Sequence, residues 1–229
     1  MLKRILNGFL GFVLPDTCLS CGTVLDASER FICATCHNKL IKFDEPHPWK
    51  NEEISCGVID DSFSLYQFHE GTEIQTLLHA FKYEKMKSVG RMFGREIGAR
   101  ILSTEETAFD YAVPVPLHYG KERERTYNQS LFISKGISDK LNVKVLENCL
   151  ERTRFTKTQT KLHKLQRQEN VRGAFRLNPK FKNTIAGKNI ILSDDVITTG
   201  STILECARTL KAAGCGKILV CSIAYAVLD

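Results

Sequence analysis

Residues 189–202, NIILSDDVITTGST, constrain this chain more than any other stretch. Ile190, Ile191 and Leu192 make an apolar, β-branched run of the kind a buried strand needs. Asp194 and Asp195 cut that run, and Val196 and Ile197 follow. Then comes a small hydroxylic turn, Thr198-Thr199-Gly200-Ser201-Thr202. Beyond it, Ile203, Leu204, Ala207 and Leu210 recur at helical spacing. The pattern predicts strand, loop, helix, with the acid pair opening the loop.

A loop with several hydroxyls and one permissive glycine, leading into a helix, suits a phosphate. Backbone N–H groups and the positive end of the helix face the anion. Two carboxylates beside such a site would repel the ligand unless they meet its hydroxyl groups or a cation travelling with it. A ribose 5-phosphate that carries further phosphates and Mg²⁺ offers all three features. The bland alternative is an ordinary strand-to-helix turn, with residues 199–201 as a helix cap and two solvated aspartates. It leaves the acid pair unexplained.

The order of residues here resembles the phosphoribosyl pyrophosphate (PRPP) motif of type I phosphoribosyltransferases. That resemblance implies Asp194 and Asp195 on the ribose 2′- and 3′-hydroxyls. It also implies Thr198, Thr199, Gly200, Ser201 and Thr202 around the 5′-phosphate.

The charge balance adds a second constraint. Over residues 121–182 there are 16 Lys+Arg and 6 Asp+Glu, net +10, which leaves 16 against 20, net −4, for the rest of the chain. A concentrated positive segment fits a polyanionic partner, either a pyrophosphate or a nucleic acid. A solvated loop would look the same on charge alone.

Toward the N-terminus, Cys18-Leu-Ser-Cys21 and Cys33-Ala-Thr-Cys36 are two Cys-x-x-Cys knuckles separated by eleven residues. Each presents two thiolates from one turn, and together they complete a closed tetrahedral Zn²⁺ site. Such a site is structural: it contributes folding energy and a docking surface, and no catalysis. The preceding MLKRILNGFLGFVLPD imitates a signal peptide, but Asn7, Gly8 and Gly11 interrupt it and no small-residue cleavage site follows. A short amphipathic helix packed on its own protein is expected, with no membrane insertion. A cytoplasmic location follows, where nine cysteines serve as thiols or metal ligands.

Between these landmarks, residues 54–68 alternate enough to predict two short strands turning at Asp60-Asp61. Helices are expected from Thr72 to about Tyr83 and from about Ser88 to Leu102. Residues 110–117 read as a strand ending at Pro114 and Pro116. The loop HYGKERERTYNQS follows it, and there Arg123 and Arg125 offer planar forks that match phosphate oxygens. A self-neutralising exposed strip is the alternative. Asn128 and Gln129 open the next helix, and residues 143–150 predict a strand. The polar stretch 151–172, with few apolar anchors, reads as disorder or as a basic lid. Strand and helix alternation from residue 110 onward argues for a parallel sheet covered on both faces.

Taken together, the chain resembles the ComF family, phosphoribosyltransferase-like proteins linked in bacteria to competence for DNA uptake. The match covers nearly the whole length. It includes the cysteine pairs, Phe81-Lys82-Tyr83, Val113-Pro-Val-Pro-Leu117, the Arg-x-Arg and Asn128-Gln129 block, and the series Arg152, Thr156, Gln159, Leu162, Arg167 and Asn170. The Asp194-Asp195 motif completes it. The resemblance implies a type I phosphoribosyltransferase fold, a central parallel sheet flanked by helices, in residues 54–229. A small four-cysteine zinc module with an N-terminal helix would occupy residues 1–45. Lys82, Arg123 and Arg125 would contact PRPP, and Asp194 and Asp195 would serve catalysis by orienting the sugar.

Two departures stand out. The family commonly has Arg-Gly-Phe-Asn-Gln where this chain has Arg125-Thr126-Tyr127-Asn128-Gln129, so a glycine's backbone freedom is missing. Purine-salvage relatives carry an acid where this chain has Thr198, which disfavours hypoxanthine or guanine as acceptor. Two functions remain open. One is Mg²⁺-dependent transfer of phosphoribosyl from PRPP to an unidentified acceptor. The other is an adaptor for single-stranded DNA or a competence protein, with PRPP as a regulatory ligand.

Overall fold

The computed structural model describes residues 16–47, 57–104, 108–117, 126–153 and 171–226. In chain order it begins with α1 (Ala34–His37), β1 (Asp61–Phe68), α2 (Glu73–Tyr83), α3 (Lys87–Ser103) and β2 (Tyr111–Pro114). Next come α4 (Gln129–Leu141), β3 (Lys144–Val145), β4 (Leu150–Arg152) and β5 (Phe175–Leu177). Last are α5 (Lys182–Ile185), β6 (Ile190–Ile197), α6 (Ser201–Ala212) and β7 (Ile218–Ala226).

Five strands form one parallel sheet in the order β1-β7-β6-β2-β3, and β4 and β5 form a separate antiparallel ribbon. Parallel strands covered on both faces read as continuous apolar runs, and β7 is buried at every position. Successive side chains of β6 alternate between two cores, as a period of two requires. Ile191 packs with Phe81, Phe93, Ile97, Ile133 and Ile137 from α2, α3 and α4. Ile190 and Leu192 pack with Leu204, Ala207 and Leu210 of α6 and with the β4–β5 ribbon. The expected architecture, a central parallel sheet flanked by helices, is the one observed.

The closest helix pair is α3 against α4, and glycine makes it possible. A Cβ on Gly94 would lie 2.1 Å from the Ile133 carbonyl oxygen, and one on Gly136 would lie 2.3 Å from that of Arg91. Outside the seam, Asp139 of α4 receives Arg91 at 2.6 Å and Arg95 at 2.8 Å. This fixed seam delivers the N-terminus of α4 to the carboxyl ends of the strands.

Three expectations change in detail. The segment 54–68 holds one eight-residue strand in its described part, and Asp60 and Asp61 stand at its start rather than at a turn between two. Asp60 Oδ2 accepts from the Ile218 amide at 2.8 Å and from Lys211 Nζ at 2.9 Å, which anchors that start to β7. Residues 143–150 do not make one strand: β3 ends at Val145, Asn148 takes φ +65°, and the chain leaves for the ribbon. Third, β6 runs on to Ile197, so the acid pair lies inside the strand rather than in the loop.

The four-cysteine module is continuous with the main core. Cys18, Ile32, Cys33, Cys36 and Leu40 share one apolar cluster with Leu65, Tyr66 and Phe93. From it the chain runs beside β1, where Lys42 bridges Tyr66, to the buried His47. That imidazole meets Ser62 Oγ at 3.0 Å and Ser64 Oγ at 2.9 Å, and Ser64 meets Ser222 Oγ at 2.6 Å. Among the described residues no helix is long and apolar enough to cross a membrane. The predicted N-terminal helix lies outside the described residues.

Candidate functional site

Sheet order places the carboxyl end of β6 between β7 and β2, at the interior of the strand edge where open α/β sheets bind ligands. Asp194 and Asp195 sit there. Because they are consecutive in a strand, their side chains leave opposite faces and find different partners.

Asp195, 9% exposed, receives Lys82 Nζ at 3.2 Å from the last turn of α2. Asp194 Oδ1 accepts from Ser130 Oγ at 2.9 Å, from the first turn of α4, and from the Asp195 amide at 2.9 Å. Burial, and then the charge of Asp195, push the Asp194 carboxyl up to about 7, against the pull of the Ser130 hydroxyl and Lys82. The pair therefore holds less than two full charges near neutrality. A diol or a cation arriving there would restore its ionisation.

Directly after β6, Gly200 takes φ +76° and α6 starts at Ser201. The Thr199 and Ser201 hydroxyls lie 3.0 Å apart and are largely buried. Thr198 and Thr202 stay partly exposed. The hydroxylic turn thus precedes a twelve-residue helix whose first amides are free of intrahelical acceptors. This is the phosphate-type geometry the residues predicted, and it lies next in the chain to the acid pair.

The segment from Tyr127 to Ser130 ties the surroundings together. Asn128 caps α4 by accepting from the Ser130 amide at 3.1 Å, and its Nδ2 donates to the Val115 carbonyl at 3.0 Å. The predicted opening of a helix at Asn128-Gln129 is observed. Tyr127 donates its hydroxyl to the Phe81 carbonyl, in the last turn of α2.

Two groups near the acids were not singled out for roles from sequence. Ser130 could have been suspected only as the residue following an Asn-Gln helix start. Arg152, on β4, stacks its guanidinium over Phe175 at 5.3 Å. Burial lowers its pKa, while Cys206 and Asp194 oppose that shift, so its charge faces the acid pair from the ribbon side. Arg123 and Arg125, and all but the ends of the expected lid, lie outside the described residues. The remaining buried thiols are not nucleophiles: burial pushes Cys149 up to about 12 and Cys215 up to about 11.

The second cluster is the cysteine module. The Sγ atoms of Cys18, Cys21, Cys33 and Cys36 all lie within 4.8 Å of one another, with Cys21 and Cys33 at 3.8 Å. Zinc–sulfur bonds of about 2.3 Å arranged tetrahedrally put sulfurs about 3.8 Å apart. The four thiols could hold a zinc ion. The Thr23 hydroxyl and amide hold Cys21 down to about 6, whereas burial pushes Cys36 up to about 12. A divalent cation would offset that burial.

No protein-family model matches the chain. Among characterised proteins it is 26% identical over 232 residues to Competence protein F of Haemophilus influenzae, spanning 91% of this chain and 96% of that one. It is 29% identical over 151 residues to the DNA utilization protein YhgH of Escherichia coli, spanning 64% of this chain and 65% of that protein's length. It is 23% identical over 209 residues to Competence protein ComFC of Bacillus subtilis, spanning 87% and 80%.

Among solved structures, one titled as the allosteric regulatory enzyme of purine biosynthesis overlaps 63% of this chain at a TM-score of 0.42 and 16% identity. A glutamine PRPP amidotransferase from B. subtilis overlaps 63% at 0.40 and 18%. The chain spans 30% of each of those two proteins. The strand order and connections above, rather than that overlap, carry the fold.

Proposed function

We propose, from the premise that this chain is a protein of the ComF family, that it binds PRPP and transfers its phosphoribosyl group to an acceptor, releasing pyrophosphate. The observation that carries this reading is the sequence of groups along β6 and into α6. Two carboxylates with separate partners are followed at once by buried hydroxyls and a glycine turn at a helix N-terminus. Asp194 and Asp195 would take the ribose diol, and Thr198, Thr199, Gly200, Ser201 and Thr202 the 5′-phosphate. Arg123 and Arg125 would meet the pyrophosphate.

Transfer breaks the bond from the anomeric carbon to the pyrophosphate oxygen and forms one to the acceptor. The bonding electrons leave with pyrophosphate. The anomeric carbon becomes cation-like, so the charge held by Asp194 and Asp195 favours it, and the geometry otherwise works by positioning. Lys82, held by Asp195, keeps that carboxylate ionised and stands ready for an anionic group. The paired carboxylates also have the oxygen-donor chemistry Mg²⁺ requires, and Mg²⁺ bound with PRPP would neutralise charge on the leaving group. The cytoplasm, where PRPP and free thiols coexist, is the compartment this reading implies.

Calorimetric titration of Mg²⁺–PRPP into wild type and an Asp194→Asn, Asp195→Asn variant tests it. Wild type should bind, and the variant should lose roughly a hundredfold or more. Equal affinity in both would end the reading. Pyrophosphate release with an acceptor panel then tests the transferase step.

One observation favours the adaptor reading. A groove of about 500 Å³ between the cysteine module and α3 is lined by Arg30, Phe31, Arg91, Arg95 and Lys140. Half-exposed guanidinium groups beside an aromatic ring suit the phosphates and bases of a single strand. If that surface binds single-stranded DNA, an Arg91→Ala, Arg95→Ala variant should lower the salt slope of binding by about 2. An unchanged slope removes the groove from consideration.

A further inference from the structure

The four residues from Tyr127 to Ser130 reach both members of the acid pair by different routes. Ser130 reaches Asp194 directly, with its hydroxyl on Oδ1 at 2.9 Å. Tyr127 reaches Asp195 indirectly. Its hydroxyl donates to the Phe81 carbonyl, and the next residue, Lys82, meets Asp195 Oδ2 at 3.2 Å. Phe81 lies in the last turn of α2, where carbonyl oxygens lack partners within the helix. A hydroxyl from another part of the chain is therefore what holds that turn.

The ring of Tyr127 is buried against Phe81 at 6.0 Å and Phe132 at 5.3 Å, with Lys87 Nζ over it at 5.2 Å. A phenylalanine would fill the same space, and phenylalanine is what the ComF pattern carries there. The hydroxyl is this chain's own addition. So is Thr126, which adopts φ +66° where the pattern has glycine. A β-branched residue is strained at that angle, and a segment under strain needs an extra tie to keep its place. The two departures fit together as one device, an anchoring hydroxyl beside a strained turn.

We infer that Tyr127 is a positioning residue for the acid pair, fixing the end of α2 through the Phe81 carbonyl so that Lys82 stays against Asp195. This rests on the PRPP reading above. Tyr127 touches no substrate. Its effect passes through the place of Lys82.

The test is a double-mutant cycle read by Mg²⁺–PRPP affinity. Tyr127→Phe should weaken binding by about fivefold with little change in melting temperature, and Lys82→Gln should weaken it more. In the Lys82→Gln background, adding Tyr127→Phe should cost nothing further, because the hydroxyl then has no ammonium to place. The groups facing the acid pair are Lys82 from α2, Ser130 from α4, Arg152 from β4, Cys206 from α6 and Cys221 from β7. Of these, only Lys82 is released by Tyr127→Phe. The pH below which binding fails should therefore rise by about half a unit in that variant and stay put in the Lys82→Gln background.

An unchanged affinity in Tyr127→Phe, or the same fivefold loss in both backgrounds, would overturn the inference while leaving PRPP binding intact. Failure of wild type to bind Mg²⁺–PRPP would instead overturn the reading beneath it, and this inference with it.

Discussion

The molecule gathers acidic ligand groups in two places, and it treats them in opposite ways. At the cysteine module four thiols converge from two knuckles until every sulfur lies within 4.8 Å of the others. At β6 two carboxylates diverge across a strand, one against Lys82 and one against Ser130. The first arrangement closes a coordination sphere and leaves no position for a substrate. The second leaves each acid with one protein partner and oxygen lone pairs to spare. Convergence of identical groups makes a structural centre, and divergence with unlike partners makes a site that can accept something from outside.

That contrast predicts opposite signs for ligand removal, and the cysteine side carries the larger effect. Cys36→Ala should abolish zinc binding and lower stability by about 5 kcal/mol or more, because metal-binding energy is folding energy in such modules. Cys33 and Cys36 lie in the same apolar cluster as Tyr66, Phe93 and Ile137, so the loss should extend into α3 and α4. Metal analysis should give one zinc per chain in wild type and none in the variant. Hydrogen exchange should show α3 and α4 loosened. If exchange rises only in residues 16–40, the module is a separable bead and the shared core is not energetically shared.

Next in size is the seam that carries Ser130 to Asp194. In Gly94→Ala the new methyl would lie 2.1 Å from the Ile133 carbonyl, a backbone atom that cannot move without shifting α4. About 3 kcal/mol of destabilisation is expected, with PRPP affinity falling alongside it. Gly90→Ala meets the Phe81 ring at 2.2 Å and should disturb the Lys82 side of the site instead. Two variants in one helix would then separate the two halves of the acid pair. Thermal denaturation combined with PRPP titration measures both.

Asp194→Asn should do the reverse of Cys36→Ala. The Asp194 carboxyl is raised from 3.8 to about 7, chiefly by burial, so the folded chain holds a proton that the unfolded chain releases. The stability this contributes is complete below about pH 4 and is lost as pH rises through 7. Asparagine has no charge to desolvate. At pH 8 the variant should be more stable than wild type by roughly 2 kcal/mol, and the difference should vanish by about pH 4. PRPP binding should be lost at every pH. A variant that is less stable at pH 8 would mean that Asp194 is held by attractions stronger than its burial.

Both clusters were legible in the residues, though unequally. Cys-x-x-Cys spacing specifies a local turn, and four cysteines so paired leave few alternatives, so the thiols meet as expected. The acid pair and the turn after it were legible as local chemistry. Their placement inside β6 was not, because strand length here is set by pairing with β7 through Ile197↔Tyr225. Lys82 was visible only as part of a family pattern. Its ionic partner lies over a hundred positions away, and no periodicity encodes that contact.

The Gly90, Gly94 and Gly98 series read as interruptions of a helix, since the cost of glycine is local and its benefit appears only when α4 packs against it. The buried His47 between two serines likewise depends on strands that are distant in the chain. In general the elements with local causes were readable, and the contacts between them were not.

The smallest expected effect bears on why the acid site can be less rigid than the metal site. Phe31 takes φ +67° inside the cysteine module, and Thr126 takes +66° beside the acid pair. In the module the angle is held by a ring packed on the core and by the Leu19 amide donating to the Phe31 carbonyl at 2.8 Å. At Thr126 the neighbouring tie is the Tyr127 hydroxyl on Phe81. Thr126→Gly should therefore relieve strain and stabilise the chain by about 1 kcal/mol, less the extra entropy glycine gives the unfolded state. PRPP affinity should hold or improve slightly, because the turn reaches the same angle at lower cost. Chemical denaturation resolves a change of this size if the slope of the transition is unaltered. Should Thr126→Gly weaken binding instead, the stiffness of the threonine itself would be what keeps Tyr127 in reach of α2.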